Sequence, residues 1–205
     1  MDNSAQYKNY NTEQNSIRYK ICNNLLNNVN INQHLDVGSF DGRSFDYIDS
    51  NKKFAIEPSS IGNKSLNDRR VEVIASTVEE YSGDRKFDLI TFFDVLEHLF
   101  DPLSALKKSY SLLNSGGYVC YTFPNDVYNL KNLIKLFSNP KEAPILKYKN
   151  NGHIRFFSLG TATQMAIDSG FDVIEAKGYG NRKILNKFLP NQFCYGYFIL
   201  AKKVG

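Results

Sequence analysis

Residues 33–49 read QHLDVGSFDGRSFDYID, and this stretch decides the fold. Residues 34–37 are typical of a buried strand, a glycine turn runs from Gly38 to Gly42, and residues 44–50 favour a helix. A strand, a glycine turn and a helix in this order form a cofactor-binding unit at the carboxyl edge of a parallel sheet. Because glycine lacks a Cβ atom, the backbone of this turn can bend sharply and allow a ligand to approach closely.

The spacing of the glycine turn excludes two common phosphate-binding loops. A dinucleotide site requires G-x-G-x-x-G, but Phe40 occupies the position of the middle glycine. A P-loop requires a lysine after its last glycine, and none follows Gly42. The remaining pattern is D-x-G-x-x-x-G, formed by Asp36, Gly38 and Gly42. An ordinary tight turn between a strand and a helix is the alternative interpretation.

A second strand is predicted at residues 53–57 and ends in Glu57. An acid at the end of the second strand can accept hydrogen bonds from both hydroxyl groups of a ribose. We therefore interpret Glu57 as a ribose ligand, with a solvated acid at the strand end as the alternative. A third strand is predicted at residues 71–75, and a fourth, almost entirely apolar strand at residues 87–93.

The fourth strand leads into DVLEHLFDP, residues 94–102. On a helix, Asp94, Glu97 and His98 would share one face because they are spaced at i, i+3 and i+4. His98 titrates near neutral pH and is a candidate general base. Two carboxylates and one imidazole are also metal ligands, but they are too few to identify an ion, and we predict no metal. A structural role for Glu97 and His98 is the third alternative.

A second histidine lies in the segment GHIRFFS, residues 152–158. His153 and Arg155 alternate with Ile154 and Phe156, as expected for an extended segment that enters a site. His153 is therefore the second candidate general base. Arg155 is expected either to bind an anionic acceptor or to pair with a carboxylate.

These segments resemble the class I methyltransferases that use S-adenosylmethionine (SAM). The similar motifs are the glycine turn, DVLEH with its following Asp-Pro, LLNSGG at residues 112–117, and the pair PN and HIRFF. The branch with these motifs includes methyltransferases of ubiquinone and surface-polysaccharide biosynthesis. The resemblance implies an α/β fold with a Rossmann-like, seven-stranded, mostly parallel sheet and an antiparallel last hairpin. It also implies that the chain is an enzyme.

The resemblance implies roles for ten residues. Those expected to bind SAM are Asp36, Gly38, Ser39, Gly42, Glu57, Ser76, Thr77 and Asp94. In the family, a residue just after the third strand binds the adenine amino group. Here the matching position is Ser76 or Thr77, whose hydroxyl group would accept that hydrogen bond. A helix N-cap is an equal alternative for this pair. His153 and His98 are the expected bases. The expected acceptor is a sugar or another small hydroxyl compound in surface-polysaccharide biosynthesis.

Two other functions are also considered. One is methylation of a phenolic or quinone precursor or another small molecule. The other is a non-catalytic SAM-fold protein that binds a nucleoside or a partner chain. Phe40 and the hydroxyl residues at the adenine position favour the second of these.

Composition limits the domain organisation and the partners. The chain has 205 residues, a formal net charge of +4 and three widely spaced cysteines. One domain, residues 1–205, is predicted, with an N-terminal helix at about 12–30 and an insertion at about 125–152 that covers the acceptor. The mild charge gives no reason to predict nucleic-acid binding. The sequence has no apolar run of membrane-spanning length and no apolar signal core, so we predict a cytoplasmic protein without membrane insertion. It leaves the oligomeric state open, with a homodimer as one option.

Overall fold

The computed structural model describes residues 12–126, 134, 137–138, 152–180 and 194–205. These residues form a seven-stranded sheet with the strand order β3-β2-β1-β4-β5-β7-β6. The strands are β1 (Gln33–Val37), β2 (Lys52–Ile56), β3 (Glu72–Ala75), β4 (Phe87–Phe93), β5 (Leu113–Pro124), β6 (Phe171–Tyr179) and β7 (Gly196–Lys203). Strands β1 to β5 pair in parallel, whereas β7 is antiparallel to both β5 and β6. The predicted fold class is confirmed.

Four α-helices accompany the sheet in the described part of the chain. They are α1 (Thr12–Leu25), α2 (Ser60–Asp68), α3 (Pro102–Leu112) and α4 (Leu159–Asp168). Asp101 caps α3 by accepting a hydrogen bond from the Ser104 amide, and Ser158 caps α4 through a reciprocal capping box with Thr161.

The central strand β4 is buried on both faces, since Leu89, Ile90 and Phe92 have no exposed surface. The pairing register of the strands, and not the apolar side chains, shows which edge of the sheet can bind a ligand. Val37, the last residue of β1, lies opposite Ile56 of β2 and Phe92 of β4. The carboxyl ends of these three strands therefore meet at one edge, where open α/β sheets bind their ligands.

Helix α1 is shorter than the predicted helix at about 12–30 and buries polar as well as apolar side chains. It ends at Leu25, and Leu25 is 37% exposed. Its buried side chains are Ser16, Arg18, Tyr19 and Cys22. Ile17 and Ile21 are partly buried and pack against the same apolar cluster.

Two predicted helices are shorter and tighter than expected. Residues after the glycine turn form a 3-10 turn, Arg43–Asp46, and both Phe45 and Ile48 are buried. The segment after β4 is also not α-helical, because Asp94 has a left-handed φ of 57° and only Leu96–His98 form a 3-10 turn. The helical spacing proposed for the DVLEH segment was therefore wrong.

The predicted insertion, about 125–152, lies mostly outside the described residues. Of its expected helix, Ile134 and Phe137 are described, and both are exposed. Residues 181–193 also lie outside them. None of the described helices has the length and apolar character that crossing a bilayer requires.

Candidate functional site

The carboxyl edge of the sheet opens into a cavity of about 830 Å³. This volume is within the usual range for small-molecule pockets, roughly 300–1,000 Å³. The cavity walls include nine of the ten residues predicted from the sequence: Asp36, Gly38, Ser39, Glu57, Ser76, Thr77, Asp94, His98 and His153. Gly42 lies outside the cavity walls.

Asp36 is buried at the end of β1 and is held by three hydroxyl groups. Thr91 donates to Oδ1 at 2.6 Å, while Ser39 and Ser44 donate to Oδ2. Burial raises the pKa of Asp36 to about 6, although the three hydrogen bonds oppose the rise. The hydroxyl groups fix the orientation of the carboxyl group at the floor of the cavity.

The glycine turn places backbone against the cavity. Gly38 has a φ of 71°, and a Cβ atom built there would lie 2.6 Å from Cγ2 of Val95. Gly42 also has a positive φ, and a Cβ atom built there would lie 2.9 Å from Cδ2 of Leu66. The close packing of Gly42 against α2 therefore requires glycine at this end of the turn. Phe40 adopts a positive φ of 44° without being glycine, which is an unfavourable conformation for an L-residue.

Glu57 links the second strand to this turn. Its Oε2 accepts a hydrogen bond from the Phe40 amide at 2.8 Å, and its Oε1 accepts one from the Ser59 amide at 2.9 Å. Burial raises the pKa of Glu57, and the two backbone hydrogen bonds oppose this. Each carboxylate oxygen has a further acceptor position for a ligand.

The two hydroxyl residues after β3 both face the cavity. Thr77 Oγ1 accepts a hydrogen bond from the Glu80 amide at 3.2 Å, as a residue that caps a turn does. The position of the pair on the cavity wall is consistent with adenine binding, and the contact of Thr77 with Glu80 is consistent with a capping role.

Asp94 connects the cavity with the N-terminal helix. One of its oxygens forms a salt bridge with Arg18 of α1, and the other accepts a hydrogen bond from Thr122 at 2.8 Å. Arg18 is buried, lines the cavity and also donates to the Tyr19 hydroxyl. The Arg18 side chain of α1 therefore completes one wall of the site.

Glu97 and His98 occupy the next part of the wall in different environments. Glu97 is 1% exposed, and neither carboxyl oxygen has a hydrogen-bond partner among the described residues. Burial, together with the charge of Asp94, raises the pKa of Glu97 well above its ordinary value. His98 lies at the exposed mouth of the cavity, and partial burial lowers its pKa, which favours the neutral ring.

His153 forms a pair with Asp126. Its Nδ1 lies 2.7 Å from Asp126 Oδ2, while its Nε2 lies 4.0 Å from Glu97 Oε1. A carboxylate can only accept, so Nδ1 carries a proton, and in the neutral ring Nε2 presents the lone pair. The His153 ring also packs edge-on against His98, with ring centroids 4.8 Å apart.

One ligand atom each from Glu97, His98 and His153 lies within 4.8 Å of the others. These are groups that bind divalent cations, although Nδ1 of His153 is already engaged by Asp126. Arg155 does not line the cavity and instead donates to the carbonyl oxygen of Phe100. This contact favours neither of the two roles expected for Arg155.

Sequence reasoning did not identify Arg18 and Asp126 as cavity residues. Asp126 directly follows Pro124, the last residue of β5, and Asn125, so its position beside the PN motif could have indicated a site residue. No comparable signal existed for Arg18, because an arginine on an amphipathic helix is usually solvated.

The sequence model of a family described as "Methyltransferase domain" matches residues 13–176. Among curated proteins, a ubiquinone biosynthesis O-methyltransferase of Vibrio vulnificus is 31% identical over 58 residues, which are 27% of this chain. The matched segment spans only 25% of that relative's length.

Solved structures show the same fold at low sequence identity. A SAM-dependent methyltransferase of Thermotoga maritima, described as a possible histamine N-methyltransferase, has a TM-score of 0.63 and 19% identity, covering 93% of this chain and 91% of its own. The N-methyltransferase NodS of Bradyrhizobium japonicum has a TM-score of 0.66 and 12% identity, covering 95% and 99%. NodS bound to S-adenosyl-L-homocysteine (SAH) has a TM-score of 0.60 and 12% identity, covering 93% and 86%.

Proposed function

Because the chain belongs to the methyltransferase domain family, we propose that it transfers the methyl group of SAM to a hydroxyl group of a sugar or another small acceptor. We place this reaction in surface-polysaccharide biosynthesis. The observation that carries the proposal is the hydrogen-bonded pair of His153 and Asp126 on the wall of the same cavity as the glycine turn. The family and the fold support SAM as the cofactor.

The residues around the glycine turn fit SAM. Gly38 leaves no side chain where the backbone borders the cavity, and the carboxyl group of Glu57 retains acceptor positions for a ribose diol. Asp36, at the cavity floor, supplies negative charge toward a cofactor that bears an ammonium and a sulfonium. SAM holds its methyl group on this sulfonium, which is the electrophile of the reaction.

The residues of the chain would act on the acceptor by orienting it and accepting its proton. A sugar hydroxyl is a poor nucleophile, so it needs to lose its proton as it attacks. Asp126 orients the His153 ring and selects the neutral tautomer in which Nε2 carries the lone pair, and this nitrogen is the proposed proton acceptor. Asp126 is a positioning residue in this scheme, because it acts through the imidazole and not on the acceptor.

A phenolic acceptor is the second candidate, and the short match to a ubiquinone biosynthesis O-methyltransferase favours it. A phenol is more acidic than a sugar hydroxyl and needs less help from a base. The two acceptor classes therefore differ in how strongly the reaction should depend on His153.

The test incubates the protein and SAM with matched panels of nucleotide sugars, glycans and phenols, and locates each transferred methyl group by mass spectrometry. With a sugar acceptor, we expect His153→Gln to lower kcat by about 10²–10⁴-fold, the usual contribution of a general base. The His98→Gln variant serves as the comparison and should lose less activity. Calorimetry with SAH should show unchanged cofactor affinity for both variants.

Two results would contradict the sugar proposal. One is methylation of phenols alone, with little loss in His153→Gln. The other is binding of SAM and SAH without methylation of any acceptor, which would favour a non-catalytic role. An Asp36→Ala variant, expected to lose cofactor binding, checks that the calorimetric signal arises from this site.

A further inference from the structure

Glu97 is a buried acid that no described side chain satisfies. It is 1% exposed, it lines the cavity, and neither oxygen of its carboxyl group has a hydrogen-bond partner among the described residues. Its main chain is fixed, because the Glu97 carbonyl oxygen accepts hydrogen bonds from the amides of Ile154 and Arg155. A buried carboxyl group without a partner is costly, so a group that enters the cavity has an unmet acceptor to bind.

The nearby described cations do not fill this role. Arg18 of α1 is engaged with Asp94, and Nε2 of His153 lies 4.0 Å from Glu97 Oε1, too far for a hydrogen bond. Asp126, at the end of β5, is bonded to the other nitrogen of His153. The groups near Glu97 are therefore either paired with one another, as Arg18 with Asp94 and His153 with Asp126, or make no hydrogen bond to it, as His98.

The charge of the cavity walls indicates the sign of the ligand. Seven carboxyl side chains and two guanidinium groups line the cavity, so the acids outnumber the arginines even with Glu97 protonated. Both guanidinium groups are paired with lining acids, Arg18 with Asp94 and Arg43 with Asp41. A cleft lined mainly by one sign of charge concentrates ligands of the opposite sign. Since the glycine-turn end is assigned to SAM, the acids at the other end are available to the acceptor.

We propose that Glu97 binds an ammonium group of the acceptor, so that the acceptor is an amino sugar or a similarly small amino alcohol. This inference rests on the proposed function, with a neighbouring hydroxyl as the methylated group. An ammonium donates up to three hydrogen bonds and brings the positive charge that the carboxyl group lacks in the protein. Burial favours the protonated form of Glu97, so the arrival of the ammonium should release its proton.

The test measures binding of hexosides to protein saturated with SAH, which prevents turnover. The probes are 2-, 3- and 4-amino hexosides, each compared with its N-acetylated and hydroxyl counterparts. We expect at least one amino hexoside to bind about 10- to 100-fold more tightly than its neutral counterparts, the range typical of a charge-assisted contact. Calorimetry in buffers of different ionisation enthalpy should show proton release on binding.

Two acid-to-amide variants locate the effect. Glu97→Gln should reduce the preference for the amino hexoside to about twofold or less and abolish the proton release, with SAH affinity unchanged. Glu79→Gln is the matched control, because this exposed acid lines the cavity after β3. It should leave the preference unchanged. The comparison of ligands on the unmodified protein still decides the question if Glu97→Gln does not fold.

The remaining outcomes separate this inference from the proposed function. Equal binding of amino and neutral hexosides, or a preference that survives in Glu97→Gln, overturns the ammonium site, even where hydroxyl methylation is observed. Binding of Mg²⁺, Mn²⁺ or Zn²⁺ that depends on Glu97 also overturns it and assigns the site to a metal. Glu97-dependent binding with the methyl group found on nitrogen supports the ammonium site and overturns hydroxyl methylation. No binding of any hexoside overturns both the amino-sugar ligand of Glu97 and the sugar acceptor of the proposed function.

Discussion

At the scale of single residues, Asp36 should make stability depend on pH. Burial raises its pKa from 3.8 to about 6 in the folded protein. Between these values the unfolded chain loses the proton while the folded chain keeps it, so the free energy of unfolding falls as pH rises and levels off above about pH 6. A pKa difference of this size between the folded and unfolded chain corresponds to about 3 kcal/mol.

We therefore expect Asp36→Asn, which cannot titrate, to gain stability relative to the unmodified protein by about 2–3 kcal/mol between about pH 4 and pH 7. Urea unfolding of both proteins across this range measures the difference. Because Glu57 and Glu97 titrate in both proteins, their contributions cancel. Parallel pH profiles would show that Asp36 has an ordinary pKa in the folded state.

Gly38 has no room for a side chain next to Val95. Gly38→Ala introduces a Cβ atom 2.6 Å from Val95 Cγ2 at a φ of 71°. The left-handed conformation alone costs about 1–2 kcal/mol, and displacement of Val95 adds to it. We expect a loss of about 2–3 kcal/mol in the free energy of unfolding and weaker SAH binding.

Gly160→Ala is the matched control for this substitution. Its Cβ atom would meet only Ser158 Oγ, at 3.8 Å, and Gly160 lies in helix α4. Its stability should stay the same or rise by up to about 1 kcal/mol. Equal effects of the two substitutions would argue against a steric requirement for glycine at position 38.

At the scale of elements, the salt bridge between Arg18 and Asp94 attaches α1 to the end of β4. Arg18→Leu would leave Asp94 as a largely buried charge without its cation, and breaking such a pair typically costs about 3–5 kcal/mol. The double variant Arg18→Leu/Asp94→Asn removes both charges and should recover a large part of this loss. Denaturant unfolding of the two single variants and the double variant gives the coupling energy. Additive losses would mean that the two side chains stabilise the protein independently.

The same elements show what the sequence reveals about local structure. Strands β1, β2 and β4 were predictable because apolar runs end at a glycine turn or an acid. The conformation after β4 was not, because the i, i+3, i+4 spacing of Asp94, Glu97 and His98 suggests a helix. The chain instead turns sharply at Asp94, whose backbone amide hydrogen-bonds to Thr122 on β5. That contact lies 28 residues away in sequence, and a periodicity analysis does not detect it.

At the scale of the whole molecule, the motif order predicted the sheet and the position of the cavity. The glycine turn, Glu57 and DVLEH each follow a parallel strand, and parallel strands end at one edge. The sequence did not predict which acids would be paired. The carboxyl groups of Asp94 and Asp126 have described hydrogen-bond partners and that of Glu97 does not, and this difference depends on α1 and residues 152–158, which are distant in the chain.

Occupation of the cavity should stabilise the whole domain. A ligand that binds only the folded state adds about 2.7 kcal/mol at a concentration 100 times its Kd. We expect SAH to raise the Tm in proportion to the logarithm of its concentration, and we expect Glu57→Gln to shift this dependence to higher concentration. Thermal denaturation with increasing SAH tests this. A Tm that SAH does not change would contradict cofactor binding in this cavity.

The position of β7 between β5 and β6 has a consequence for synthesis on the ribosome. Strand β6, residues 171–179, emerges first, but its only partner in the described sheet is β7, residues 196–203. The free edge of β5 and the whole of β6 therefore stay unpaired until these later residues leave the exit tunnel. Exposed strand edges promote aggregation, so this interval is when the nascent chain most needs protection by chaperones.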